Sequence, residues 1–348
     1  MEGLLGVIAG LYAACEARGI PWILPKLLVM TVVALVIIGF VSVMAMFLIW
    51  WERKISAHIQ ARYGPMRVGG WHGWAQSIAD GIKLLIKEDV IPAGADKPVF
   101  VAAPIVVFAV ALAMYVVVPF SRKLIITDLN IGILYLIAIS SFGVVGIIMA
   151  GWSSNNKYSA LGALRSAAQA VSYEMPLVLS VMVVVMITGT MSMVGMVEAP
   201  RPLWFIVPQA VAFVTYLIAA VAETNRLPFD IPEAESELVA GFHVEYSGMR
   251  FAIFFLAEYS NMFIVSAIAV TLFLGGWKGP GVAYAPVLAG VFWFLFKVLF
   301  MLFLFMWLRW TLARLRVDQL LNLGWKVLLP ITFANLLLTG LLAVTVKG

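Results

Sequence analysis

Eight long apolar runs divide this chain, at about residues 27–50, 99–119, 131–151, 174–197, 203–223, 251–274, 286–308 and 326–346. Each is long enough to cross roughly 30 Å of hydrocarbon as an α-helix. The pattern predicts an all-α polytopic membrane protein of eight transmembrane helices, forming a single membrane domain over residues 1–348. Two linkers stand out, an amphipathic inner loop at 51–98 and an acidic inner loop at 224–250.

In the first of these loops Trp51, Ile55, Ile59 and Tyr63 recur every four residues, with Glu52, Arg53, Lys54, His58 and Arg62 elsewhere. Trp74, Ile78, Ile82 and Leu85 repeat the pattern. One apolar helical face and one charged face suit helices lying in the membrane interface. The Gly64-Pro65 and Gly69-Gly70 pairs mark turns between them.

Composition sharpens the class. The 348 residues are 63% hydrophobic and 12% charged, with a mean hydropathy of +1.03, which a soluble core cannot absorb. Glu2 stands where a secretory leader would be basic, and the first long apolar run starts near Leu27, so no cleaved signal is expected. Lys and Arg crowd the linkers after the first, third, fifth and seventh runs. The positive-inside bias puts those loops in the cytoplasm or matrix and both termini outside; a bacterial inner membrane is the expected location, an organellar inner membrane the alternative.

Cys15 is the only cysteine, which excludes an internal disulfide and an iron–sulfur cluster held by this chain's own thiolates. His58, His72 and His243 all fall outside the apolar runs, leaving no intramembrane imidazole pair for a haem. There is no Walker phosphate loop and no GxGxxG turn. Taken alone, the chain is expected to hold no metal, to carry no catalytic redox residue and to bind no nucleic acid.

The stretch 222–248 crowds Glu223, Asp230, Glu233, Glu235, Glu237 and Glu245 between two apolar runs, six of the eighteen carboxylates. Such a cluster is costly against lipid or a protein interior, so it needs a chemical reason, either docking or proton handling. Pro232 suits a helix start, where acids are ordinary dipole complements, and Glu233 and Glu237 share a face that Glu235 does not. A solvated acidic surface explains some of these residues. It does not explain Glu223 at the end of an apolar run or Asp230 between Pro228 and Pro232.

Three more charges lie in or beside apolar runs. Glu258 sits in the sixth, Glu174 opens the fourth just before Pro176, and Lys297 lies deep in the seventh. For Glu174 a helix-capping role and a functional role stand side by side. Lys297 calls for a polar cavity or a carboxylate partner, unless its stem carries the ammonium out to the boundary.

Five segments carry a family resemblance: ERKISAHIQARYGP (Glu52–Pro65), QSIADGIKLLIKED (Gln76–Asp89), SYEMP (Ser172–Pro176), AETNRLPFDIPEAESELVAGFHVEYSG (Ala222–Gly248) and VDQLLNLGWK (Val317–Lys326). In this order, spread over nearly the whole chain, they resemble the H-subunit family of proton-pumping NADH:quinone oxidoreductase, respiratory complex I. Departures occur at Gly70-Trp71-His72-Gly73 and at Ala313 and Val317. The resemblance implies a membrane subunit forming a quinone access tunnel, with Arg53, Arg62, Asp80, Phe255 and Arg314 lining or shaping it. It also implies an acidic funnel of Glu174, Glu223, Asp230, Glu233, Glu235, Glu237 and Glu258 that couples quinone reduction to proton translocation; Lys297 joins this set by its depth in a span. Ubiquinone or menaquinone would be the substrate. FMN and iron–sulfur clusters would sit on partner subunits, and peripheral quinone-site subunits, small membrane subunits and lipid would be the neighbours. Two other classes stand beside this reading, the membrane anchor of an energy-converting hydrogenase-type complex and a stand-alone ion transporter.

Overall fold

The computed structural model describes residues 23–200, 206–232 and 235–347; residues 1–22, Cys15 among them, and Glu233 lie outside the described residues, as does the side chain of Glu235. Among the described residues eight helices are long and apolar enough to span a membrane, and no β-strand occurs. In chain order α1 is Ile23–Ile59, α2 Gln76–Ile86, α3 Lys97–Met114, α4 Gly132–Ser153, α5 Lys157–Thr188 and α6 Met193–Glu198. Then follow α7 Ile206–Glu223, α8 Glu235–Leu238, α9 Gly248–Phe273, α10 Leu288–Thr311, α11 Val317–Asn322 and α12 Leu329–Lys347. A π-helical segment, Leu323–Leu328, joins the last two.

The architecture is a bundle around α9. In its most apolar window 72% of the residues are buried, against 22% in α1, α4 and the last span. The outer helices therefore present apolar side chains such as Leu35, Phe142, Phe296 and Leu341 to the surroundings, the arrangement a lipid solvent requires.

Two boundaries depart from the hydropathy pattern. The first apolar run and the amphipathic stretch after it form one helix of 37 residues rather than a span and a separate interfacial helix. No Gly or Pro falls between Phe40 and Ile59 to interrupt it; the chain leaves the helix only at Ala61, whose φ is 51°. The fourth span starts at Lys157 rather than Glu174, because the Ala-rich stretch before Glu174 is a strong helix former and Asn156 caps it, accepting from the Tyr158 N–H at 2.9 Å. Glu174 thus lies inside a helix that continues through Pro176, so it caps nothing. Gly189, left-handed at φ 68°, ends α5, and the rest of that run is the short α6.

Lys297 also differs from expectation. Its ammonium donates to the backbone carbonyls of Leu274, Gly276 and Lys278 at 2.8, 3.0 and 2.7 Å. These are groups that the end of α9 and the following turn leave without helical partners, so the charge is met by carbonyl dipoles and not by a carboxylate.

Small residues bring the acidic loop against the bundle. A Cβ at Gly162 in α5 would lie 2.8 Å from Gly241 Cα and 2.9 Å from Phe242 N, so only glycine permits this approach. The 3-10 turn Gly241–His243 seats His243 among Phe242, Phe251 and Phe255, with ring centroids 5.0, 5.4 and 6.1 Å away. Burial pushes the His243 imidazole down from 6.5 to about 4.

Two outcomes follow from this packing. Gly162→Val overfills the contact and should cost about 1–3 kcal/mol, read as a lower melting temperature and faster proteolysis within 224–247; unchanged values would refute the contact. For His243 the unfolded chain holds more protons between pH 6.5 and 4. Stability is therefore full above pH 6.5 and falls as pH drops through that window, by up to ~3 kcal/mol. His243→Gln should flatten that part of a melting-temperature against pH curve.

Candidate functional site

The acidic loop folds inward. Arg226, Phe229, Asp230 and Ile231 are buried, although the stretch reads as polar. Gln169 of α5 is the anchor: its Nε2 donates to Ala222 O, Asn225 Oδ1 and Phe229 O at 2.7, 3.1 and 2.8 Å. Asn225, at φ 52°, turns the chain sharply after α7, and this aims Arg226 into the bundle.

The Arg226 side chain is only 4% exposed. Its Nη1 donates to both Glu52 carboxylate oxygens at 3.2 Å, and its Nε pairs with Glu258 Oε1 at 2.8 Å. Tyr259 donates to Glu52 Oε2 at 2.7 Å and lies with its ring 4.6 Å from the guanidinium carbon. Arg309 of α10 pairs with the other Glu52 oxygen. Burial alone would lower the Arg226 pKa, but the Glu258 and Glu52 charges outweigh it and hold the guanidinium well above its ordinary value. Two carboxylates and two guanidiniums from α1, the loop, α9 and α10 thus compensate one another out of water.

Behind this cluster lies a cavity of about 110 Å³ between α4, α5, α7 and α9. Glu174, Glu223 and Glu258 all line it, with Ser140, Ser141, Asn261, His243 and Phe255. The α9 contribution is one helical stripe, Phe254, Glu258, Asn261 and Val265 among it. Ser141 donates a short hydrogen bond to Glu174. The Ser140 hydroxyl lies against Glu223, whose charge also feels that of Glu174. Three carboxylates that are far apart in sequence therefore line one largely apolar space, where charges interact more strongly than in water.

The remaining acids fall elsewhere. Asp230 pairs with Arg314 at 3.2 Å. Glu237 pairs with Arg165 at 2.6 Å, its side chain 57% exposed, as a solvated face would have it. Glu245 accepts from Asn156 Nδ2 at 2.6 Å and serves the loop surface.

The expected tunnel residues do not meet at one point. Arg53 and Asp80 pair at 2.6 Å, tying α1 to α2, and Gln76 donates to Asp80 at 3.3 Å. Arg62 is exposed and donates to Gln60 at 2.6 Å. Phe255 lines the cavity, whereas Arg314 is bound to the acidic loop. Around Arg53 and Asp80 the surface is apolar, with Trp74, Ile78, Ile82 and Leu85 exposed.

Sequence reasoning does not reach Glu52, Tyr259, Arg226 or Arg309 as site residues. A signal was available. Glu52 and Arg309 both stand just past the C-terminal ends of apolar runs, with Arg226 just past another, and charges so placed on one side of a bundle are candidates for mutual pairing.

Comparison with known proteins identifies the family. The model of the family described as NADH dehydrogenase matches residues 31–340. The NADH-quinone oxidoreductase H subunit of Dehalococcoides mccartyi (strain CBDB1) is 53% identical over 305 residues, 88% of this chain and 84% of that one. The corresponding H subunit of Rhodospirillum centenum is 51% identical over 320 residues, covering 92% and 94%. That of Carboxydothermus hydrogenoformans is 44% identical over 337 residues, covering 97% and 95%. Matched along most of its length by the family model and by these relatives, this chain belongs to the NADH dehydrogenase family, alongside the H subunits of NADH-quinone oxidoreductases.

Proposed function

We propose that the chain is the membrane subunit of an NADH-quinone oxidoreductase in a bacterial inner membrane, termini outside, and that it couples quinone reduction to proton translocation. The observation that carries this reading is the shared cavity of Glu174, Glu223 and Glu258 directly behind the Glu52–Arg226 cluster. The names of the relatives support the quinone as substrate and the assembly with other subunits.

Quinone, ubiquinone or menaquinone, would enter beside α1 and α2, where apolar side chains flank the Arg53–Asp80 pair. Arg62, Phe255 and Arg314 would shape the passage beyond. Reduction takes two electrons and two protons per quinone. The electrons would come from FMN and iron–sulfur clusters on peripheral partner subunits, and this chain's own residues supply the apolar path and the charge environment. Asp230, Glu233, Glu235 and Glu237 would form the loop side of the acidic path, and Glu174, Glu223 and Glu258 its membrane side. Lys297, its ammonium held by three backbone carbonyls, would stand outside that path.

The link between them is Arg226. Protonating Glu258 removes one of the charges that hold the guanidinium, and the loop carrying Arg226 then loses part of its anchor. Moving one charge across the membrane field requires about 2.3 kcal/mol per 100 mV, a scale that a buried guanidinium changing partners can meet, since breaking such a pair costs about 3–5 kcal/mol.

In the assembled complex, Glu174→Gln and Glu223→Gln should each lower proton translocation several-fold while the amount of complex stays normal, measured as acidification in reconstituted vesicles. Wild-type translocation in both would remove the cavity from the path. A photoreactive quinone should label residues within 51–63, 251–258 or 309–325, read by mass spectrometry of the cross-linked peptides; labelling confined to other segments would overturn the passage.

A further inference from the structure

Within the cavity one group stands out. Asn261 lies one helical turn deeper in α9 than Glu258, on the same face, and its Oδ1 is buried without a hydrogen-bond partner among the described residues. A buried amide oxygen left in this state costs about 1–3 kcal/mol, which argues for a small polar ligand. The cavity wall opposite carries the hydroxyls of Ser140 and Ser141. Ser140 donates to the Ile137 carbonyl at 2.9 Å, while the single proton of Ser141 has that carbonyl at 3.1 Å and Glu174 as alternative acceptors. A volume of about 110 Å³ accommodates several water molecules, each needing ~10–15 Å³ on this measure.

Resting on the proton-coupling reading, we propose that Asn261 and Ser141 are positioning residues that hold water between the Glu258 and Glu174 carboxyls, and that a proton crosses through this water. Asn261 Oδ1 accepts one water proton and thereby fixes the orientation of that molecule beside Glu258. Ser141 donates to Glu174 and leaves its oxygen lone pairs to accept from the neighbouring water. In the transfer the Glu258 carboxyl O–H breaks as a water takes its proton, and a water O–H breaks as Glu174 takes one. One O–H bond forms for each that is lost and no electron moves. The remainder of the α9 stripe, Ile264, Val265 and Ile268, is apolar, so the water has no equivalent polar partner further along this helix.

The test uses the assembled complex in vesicles, with proton translocation and its solvent-deuterium effect as readouts. Asn261→Leu, Asn261→Ala and Ser141→Ala should each slow translocation several-fold and alter the deuterium effect; Ser141→Thr, which keeps a hydroxyl, should recover most of the Ser141→Ala loss. Wild-type rates and isotope effects in whichever of the Asn261 variants assembles, and in Ser141→Ala, would overturn the proposal. Glu174→Gln is measured in parallel. If it lowers translocation several-fold while the Asn261 and Ser141 variants do not alter it, the water positioning fails and the cavity reading stands; if neither it nor Glu223→Gln lowers translocation, the cavity reading itself fails.

Discussion

Arg226 is a guanidinium taken almost completely out of water, and the elements around it are arranged to meet that fact. Desolvating such a charge is expensive, and in a bundle interior it is tolerated only with close opposite charges and hydrogen bonds. Glu52 supplies them from the end of α1, Glu258 from α9, and Tyr259 adds both a hydroxyl to Glu52 and a ring face to the guanidinium. Arg309 balances the second carboxylate from α10. Removing any one partner would strand a buried charge, so three helices and the loop are held in one mutual position by a single side chain. The same constraint explains why the loop after α7 is buried despite its polar sequence. Gln169 takes up its carbonyls, and the Gly162–Gly241 approach closes the remaining distance.

This arrangement also orders the carboxylates by what neutralises them. Glu52, Asp230, Glu237 and Glu258 face guanidiniums. Glu174 and Glu223 face serine hydroxyls and form no ion pair among the described residues. In the proposed coupling a proton arriving at Glu174 would strand no cation, whereas one arriving at Glu258 would withdraw a charge from Arg226. The two kinds of acid line one cavity.

The fold was largely legible because lipid imposes a simple rule: every backbone polar group must be satisfied inside the segment, so long apolar runs become helices. The eight spans follow from that rule, and the exposed Trp74 and, in α2, Ile78, Ile82 and Leu85 follow from their spacing of three or four residues. Boundaries were less legible, since hydropathy registers where a helix meets lipid and not where it stops being a helix. The stretch 157–173 is helical but packed against α4 and the loop, so its polar residues hid it. Lys297 misled for a related reason: its partners are backbone carbonyls, which are the same for every residue type and leave no mark in the sequence.

The site was legible by residue and not by grouping. Charge position singled out Glu174, Glu223 and Glu258 one by one, yet the serines and Asn261 that complete their cavity look like ordinary small polar residues in apolar runs. Ser in a membrane helix commonly satisfies itself on the carbonyl one turn back, as Ser140 does on Ile137. Only the three-dimensional contact with Glu174 separates Ser141 from Ser180 or Ser266, which make similar backbone bonds within helices and touch no carboxylate. The candidate site thus depends less on which polar residues the helices contain than on which of them the fold brings to the same side of α9.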